Sequence, residues 1–561
     1  MPAQASGGHG GVVPPGATLR VSHAIGRALA GLGADTVFGV VGSGNFHVTN
    51  AMIEGGARYI AARHECGAAM MADTWARVTG KVGVLTVHQG PGLTNAMTGI
   101  AEAAKSRTPL LVLTPEAPGR HSNFYLDVAA LAHSVGAEHV RASTPATAVA
   151  DACRAFQLAQ QRRTVVLALP LDVQAAEVVP GQVCTGPLTH LPEVSAEGVA
   201  ALATLLTTAS RPVFIAGRGA RGARAELERA ADGCGALLAT SAVAKGLFNG
   251  NPWNLDVSGG FATPLAAELI RDADVVVGWG CALNMWTTRH GALIGPDAIV
   301  VQVDDDASAI GRHRTVNLGV IGDVAATAAA VADKLNQATD VVMTQRSSKI
   351  KERIARNGRW RDVPFADESG AGKIDPRALS IALDDILPAE RMVAIDSGNF
   401  MGYPSMFLSV PDEAGFCFTQ GFQAIGLGLG TAIGAAVARP DRLTVAALGD
   451  GGALMGISEL ETAVRLGLGM VIVVYDDEAY GAEVHHFGPD GDPLDTVRFP
   501  PADIAAIGRG FGCDGFVVRS VADLAGVRSW LAGPRDLPLV IDAKVTGEHG
   551  SWWLEEAFRG H

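Results

Sequence analysis

Two aspartates 27 residues apart carry the strongest chemical signal in this chain. The segment LTVAALGDGGALMGISELETAVRLGLGMVIVVYDDEAYG reads as strand, tight glycine turn, helix, second strand and acidic turn. Asp450 then stands at the carboxyl end of the first strand and Asp477 at the end of the second. On adjacent parallel strands both carboxylates face one crevice, where doubly wound sheets bind ligands. Gly449, Gly451 and Gly452 let backbone N–H groups approach a ligand closely, at a helix N-terminus suited to phosphate. Hard oxygen ligands beside a phosphate point to Mg²⁺, which takes one or two carboxylates and phosphate oxygens. Taken alone, GDG is equally compatible with a solvated acidic turn.

A second glycine loop lies upstream. IAGRGARGARAELERA places Gly217, Gly219 and Gly222 between a strand and a helix, with Arg218 and Arg221 adding positive charge. This is a dinucleotide-type loop able to cradle a pyrophosphate. No acid follows the next strand, GALLATSAVAKG, to hold a ribose.

These residues need rigid elements, and the chain supplies one rhythm three times. Short apolar strands, glycine-bearing turns and amphipathic helices recur over 17–185, 195–340 and 375–545. Near-continuous apolar strands such as PLLVLTP, PVFIAG and MVIVVYDD imply parallel sheets covered on both faces. The expected fold is α/β, with three tandem doubly wound parallel-sheet domains. Residues 1–16 read as a disordered Gly/Pro tail, 180–195 as a linker, 343–375 as an exposed connecting helix and loop, and 546–561 as a C-terminal lid or tail.

The 561 residues carry a formal net charge of −13, which argues against nucleic acid or an anionic membrane as partner. No apolar run is long enough for a membrane helix. The seven cysteines form no CxxC pair, and the N-terminus lacks the basic and apolar segments of a signal peptide. A cytoplasmic protein is expected.

The Asp450–Asp477 arrangement resembles the GDG fingerprint of thiamine-diphosphate enzymes, which ends in Asn where this chain has Asp477. That superfamily includes acetolactate synthase, oxalyl-CoA decarboxylase, 2-hydroxyacyl-CoA lyase, pyruvate decarboxylase and benzaldehyde lyase. AARHECGAAMMADTWARVTG and VHQGPGLTNAMTGIAEAAKSRTPLLVLT are similar to its RHE and GPG-TN segments. The resemblance spans most of the chain and implies pyrimidine-binding, middle and diphosphate-binding domains. It implies Asp450, Asp477 and the Ala479 carbonyl as Mg²⁺ ligands. The diphosphate falls to Ser397, Gly398, Asn399, Phe400, Gly451 and Gly452, with Tyr480, Gly481 and Ala482 beside it. Ile425 becomes the wedge that bends the cofactor, and the Gln423 carbonyl the acceptor for its exocyclic amine. Glu65 would hydrogen-bond the aminopyrimidine nitrogen and drive the imino tautomer that makes the nucleophilic ylid.

Other residues bear on the reaction. Glu483, in AYGAEVHHF, occupies a position where pyruvate decarboxylases carry a proton-relaying glutamate and acetolactate synthases an apolar residue. The paired histidines and loop aspartate of pyruvate decarboxylases are missing: GRHSNFYL has one histidine, and Ser43 takes the aspartate's place. His121, Asn123, Tyr125, Gln89, Ser43 and His47 are candidate pocket residues. The Gly217–Gly222 loop is vestigial or holds FAD, ADP or the ADP part of CoA. GWGCALNMWTTRHG, sharing Leu283-Asn284 and His290-Gly291, resembles a stretch of oxalyl-CoA decarboxylases and 2-hydroxyacyl-CoA lyases, so Asn284 joins the candidate CoA contacts. Trp552, Trp553 and Leu554 are candidates for a lid that excludes water.

The expected activity is a carbon–carbon lyase that cleaves a 2-hydroxyacyl-CoA to formyl-CoA and an aldehyde or ketone, with reversible carboligation. The alternatives are an acetolactate-synthase-like carboligase, a 2-oxoacid or oxalyl-CoA-type decarboxylase, and a catalytically dead paralogue. The resemblance implies a homodimer or homotetramer with active sites at the subunit interface.

Overall fold

The computed structural model describes residues 18–179, 192–338 and 345–557. The expected N-terminal tail, most of the first linker, Cys184 and the last four residues lie outside that range.

Each of the three expected domains contains a six-stranded, all-parallel sheet. In spatial order the first holds Arg58–Ala61, Thr36–Gly39, Gly83–Thr86, Leu110–Glu116, Thr164–Pro170 and Glu138–Arg141. The middle sheet holds Asn254–Val257, Leu237–Thr240, Pro212–Ala216, Val275–Trp279, Ile299–Asp304 and Leu318–Ile321. The third holds Phe416–Phe418, Arg391–Ile395, Leu443–Gly449, Val471–Asp476, Leu539–Lys544 and Asp514–Val518. The central strands are buried along their length, because helices cover both faces and leave the strands no polar alternation.

The first and third sheets share one strand order, 2-1-3-4-6-5 in chain sequence, whereas the middle sheet runs 3-2-1-4-5-6. In each, the first strand lies inside the sheet and the chain builds outward on one side before crossing to the other. The switch falls between Thr36–Gly39 and Gly83–Thr86, between Pro212–Ala216 and Val275–Trp279, and between Arg391–Ile395 and Leu443–Gly449. Loops leaving such neighbouring strands diverge, and the crevice between them is where a ligand fits.

The first and third domains pack through two helices, Glu65–Thr79 and Gly428–Ala438. A side chain at Gly434 would run into the backbone of Met71, so glycine there permits the close crossing. Met71, Trp75, Leu429 and Ile433 belong to one core shared by both domains. Among the described residues no helix is long and apolar enough to cross a membrane, and six cysteines are free thiols.

Candidate active site

Gly449 pairs with Tyr475, so the strands carrying Asp450 and Asp477 are direct parallel neighbours. Asp450 opens the helix Asp450–Met455 and is buried. Burial, and then the charges of Asp477 and Asp476, push its carboxyl up to about 8. Burial, and then Asp476, push Asp477 up to about 7. The lysines around the pair are already engaged: Lys373, whose charge pulls Asp477 down, pairs with Glu478, and the buried Lys544 pairs with Asp476 and with Asp542. Two carboxylates therefore share a crevice short of positive charge, a donor set that fits a divalent cation. Among the described residues no cluster of three or more His, Cys, Asp or Glu could ligate a metal. Further ligands would have to be backbone carbonyls such as that of Ala479, phosphate oxygens or water.

The opposite wall is the turn Ser397–Phe400. Asp396, which precedes it, accepts the backbone N–H groups of Ser397 (2.8 Å), Gly426 (2.9 Å) and Leu427 (3.2 Å). Burial drives this carboxyl up to about 6, against the pull of those N–H groups. One buried carboxylate thus ties the 397–400 turn to the segment bearing Gln423 and Ile425. Gln423 takes a left-handed backbone, with φ of 62°.

Ser397, Gly398, Asn399, Phe400, Gln423, Ile425, Gly449–Gly452, Asp477 and Ala479–Glu483 all line one cavity of about 1350 Å³. The same cavity continues past Trp553, Phe261 and Gln420 to Gly217, Arg218 and Gly219 of the middle domain. Its far end is ringed by Lys105, Arg107, Arg162 and Arg312, with Asp304 and Asp305 at the end of their strand. Arg218 faces this space, and burial together with Arg77 and Arg221 pushes its guanidinium down to about 9.

Several expectations need correction. Arg221 is no ligand-facing cation: it donates to the carbonyls of Val243 (3.0 Å from Nε) and Arg77 (3.2 Å), and neither it nor Gly222 lines the cavity. No acid follows Leu237–Thr240 at the cavity; the acids that line this end are Asp304, which closes the strand beyond Val275–Trp279, and Asp305 just after it, paired with Arg162. Asn284 does line the cavity, but its side-chain oxygen caps the short helix Met285–Thr288 by accepting from Thr287 N–H at 3.0 Å. Trp553 reaches the cavity, whereas Trp552 stands over the Arg289 guanidinium at 5.2 Å.

The N-terminal candidates assemble elsewhere. No residue before Ala104 lines the cavity. Glu65 opens its helix and accepts from Asn95 Nδ2 at 3.0 Å. The unforeseen His88 stands across Gly92 from Glu65, at the switch point of the first sheet, and Gln89 lies against Gly44 there, on the loop that carries Ser43. His121 and Tyr125 sit in the loop after Leu110–Glu116, His121 exposed and Tyr125 under Arg120 at 5.9 Å.

Three family models match the chain. The N-terminal TPP binding domain of thiamine pyrophosphate enzymes covers residues 19–156, the central domain 199–331 and the C-terminal TPP binding domain 396–543. The chain belongs to the thiamine pyrophosphate (thiamine diphosphate) enzyme family. Its relatives include the acetolactate synthase large subunit of Parasynechococcus marenigrum, 29% identical with 89% of this chain and 83% of that protein covered. Sulfoacetaldehyde acetyltransferase of Castellaniella defragrans is 28% identical, with 90% and 89% covered. A Pseudomonas aeruginosa protein named "Probable 2-ketoarginine decarboxylase" is 29% identical, with 91% of each covered. The chain is thus a thiamine-diphosphate enzyme of the acetolactate synthase and decarboxylase type.

Proposed function

We propose that this enzyme decarboxylates a 2-oxo acid and transfers the remaining acyl carbon to a second carbonyl compound, in the manner of a carboligase. The observation that carries the decarboxylation is the placement of Glu483 on the cavity wall with Asp477, Tyr480 and Gly481, while relatives named as a synthase, an acetyltransferase and a decarboxylase support the acyl transfer. Asp450, Asp477 and the Ala479 carbonyl would hold Mg²⁺. The turn 397–400 and the backbone of Gly451 and Gly452 would hold the diphosphate. When bound, thiamine diphosphate supplies a nucleophilic carbon and an electron sink. Glu483 serves as the acid–base group for the substrate's oxygen or carbon, and Trp553 and Leu554 keep water out.

The site is completed by a second copy of the chain. Glu65 does not share the wall with Asp450, and Phe46, Phe124, Leu454, Met455 and Phe487 are exposed apolar side chains for a partner to cover. A homodimer, or a tetramer built from it, in the cytoplasm is the proposed form.

A second reading rests on one feature, the continuity of the cavity with the cationic end at Arg218. That end fits the anionic nucleotidyl part of CoA, and so a 2-hydroxyacyl-CoA lyase. Incubation with thiamine diphosphate, Mg²⁺ and either 2-oxo acids or short 2-hydroxyacyl-CoAs, with products read by mass spectrometry, decides between them. Carbon dioxide and a hydroxyketone product from 2-oxo acids is the expected result. Formyl-CoA, with 2-oxo acids untouched, would replace the first reading by the second.

A further inference from the structure

The first sheet has a topological switch point of its own, the place where such sheets take ligands, and its residues do not line the cavity. The loops leaving Thr36–Gly39 and Gly83–Thr86 diverge there, and His88 lies two residues beyond the second strand. Its ring packs under Gly42, so closely that a Cβ at that position would lie 2.7 Å from the ring. Phe124 meets the ring edge-on, with centroids 5.4 Å apart. Gly44 N–H donates to Nδ1 at 3.4 Å. A neutral imidazole accepting at Nδ1 carries its proton on Nε2, and among the described residues that N–H has no protein partner.

Glu65 borders the same spot. A Cβ at Gly92 would lie 3.2 Å from His88 Cβ and 3.5 Å from Glu65 Oε1, which places the two side chains on either side of one glycine. Burial, opposed by the Glu65 charge, holds the imidazole below its ordinary value and so in the neutral form. A fixed ring and one free N–H at a switch point, beside a carboxylate, together make an oriented hydrogen-bond donor.

We propose that His88 is a catalytic residue, donating Nε2–H to the oxygen on the substrate's reacting carbon as negative charge develops there. Gly44 and Phe124 hold the ring for that task. The proposal rests on the reading that Glu65 meets the cofactor across the subunit boundary. No proton leaves the imidazole; the contribution is electrostatic.

The test uses His88→Gln and His88→Asn in the full-length assembled enzyme. Glutamine puts an amide N–H near the position of Nε2, whereas asparagine keeps a polar group only near Nδ1. His88→Asn should lose about a hundredfold in kcat, and His88→Gln should stay within about tenfold of the parent. Thiamine diphosphate affinity, read by fluorescence titration, should be unchanged in both. Without turnover, ¹⁵N spectra of histidine-labelled protein, assigned by the His88→Gln difference, should show the Nε2–H tautomer. An Nδ1–H tautomer, or asparagine outperforming glutamine, would overturn the proposal. Glu65→Gln separates the two levels of the argument. Undiminished turnover in Glu65→Gln would sink the reading of the half-site itself. An inactive Glu65→Gln beside wild-type rates in both His88 variants would sink the role of His88 alone.

Discussion

The carboxylate of Glu459, in the third domain, accepts the backbone N–H groups of Arg63 at 3.1 Å and His64 at 2.9 Å. It therefore fixes the start of the helix whose first residue is Glu65, and it does so from the other end of the chain. Thr462 Oγ1 donates to the second carboxylate oxygen at 2.7 Å, and Gly67 leaves room for the approach. The acid on the first domain is aimed by the third.

Glu459→Ala should strand two N–H groups in a partly buried place and destabilise the enzyme by about 1–3 kcal/mol. Turnover should fall further than the stability loss accounts for, because Glu65 loses its orientation. Glu459→Gln keeps an acceptor and should retain most of both. Thermal unfolding and kcat for the two variants check this, and equal loss in Ala and Gln would show that the charge, not the geometry, matters.

Acid–base behaviour of the metal-free protein follows from the Asp450–Asp477 pair. Both carboxyls titrate above the unfolded value near 3.9, at about 8 and about 7. The folded state then binds more protons than the unfolded one from about pH 4 up to those values, so stability falls as pH rises through that window and levels off above it. Mg²⁺ competes with the protons and should raise Tm more at pH 8 than at pH 6. Asp477→Asn removes one charge and should flatten the metal-free curve. Melting curves between pH 5 and pH 9, with and without Mg²⁺, give the answer, and a metal-free Tm that rises across the window would refute it.

How much of this was legible in the sequence depended on distance along the chain. Asp450 and Asp477 could be placed because each ends a strand and the strands proved to be neighbours. The interior strands were readable as apolar runs, while Glu138–Arg141, Asn254–Val257 and Asp514–Val518 were not. These are edge strands with exposed positions, so they carry charges that mask the pattern. A ribose-holding acid is expected after Leu237–Thr240, yet the sheet order brings the end of Ile299–Asp304 to the cavity. Arg221 looked like a free cation because no sequence pattern reveals that carbonyls will surround it. Glu459 and His64, 395 positions apart, meet only once two domains pack. Asp396 was hidden for a similar reason, since its partners at Gly426 and Leu427 follow a whole helix and strand later.

The tail should act on cofactor binding. Asn399, in the 397–400 turn proposed to hold the diphosphate, accepts with its side-chain oxygen from Ser551 N–H at 2.8 Å and with its carbonyl from Ser551 Oγ at 2.6 Å and Trp553 Nε1 at 3.0 Å. Three bonds at about 1 kcal/mol each hold the turn in place. Truncation after Gly547 should weaken thiamine diphosphate binding by about tenfold or more, with the midpoint of unfolding without cofactor little changed. Isothermal titration of the truncated chain tests it, and unaltered affinity would confine the tail to covering the cavity.

The shared-site arrangement makes the sharpest demand. Within one chain the cavity wall carries Asp450 and Asp477 but no residue before Ala104, while Glu65 stands with Asn95 and His88 on the first domain. If two copies complete each other, Glu65→Gln and Asp450→Ala are each inactive alone, yet their heterodimer has one site with both groups intact. The two-fold symmetry of such a dimer puts one defective group of each kind into the other site. Random mixing of subunits should then recover about a quarter of the parent rate, half the dimers being mixed and half their sites whole. Co-expression with two affinity tags, followed by tandem purification, isolates the mixed species, in which about half the parent rate is expected. A purified heterodimer with no activity would mean that each chain builds its site alone, and the exposed apolar side chains near Phe46 and Met455 would then need a different partner.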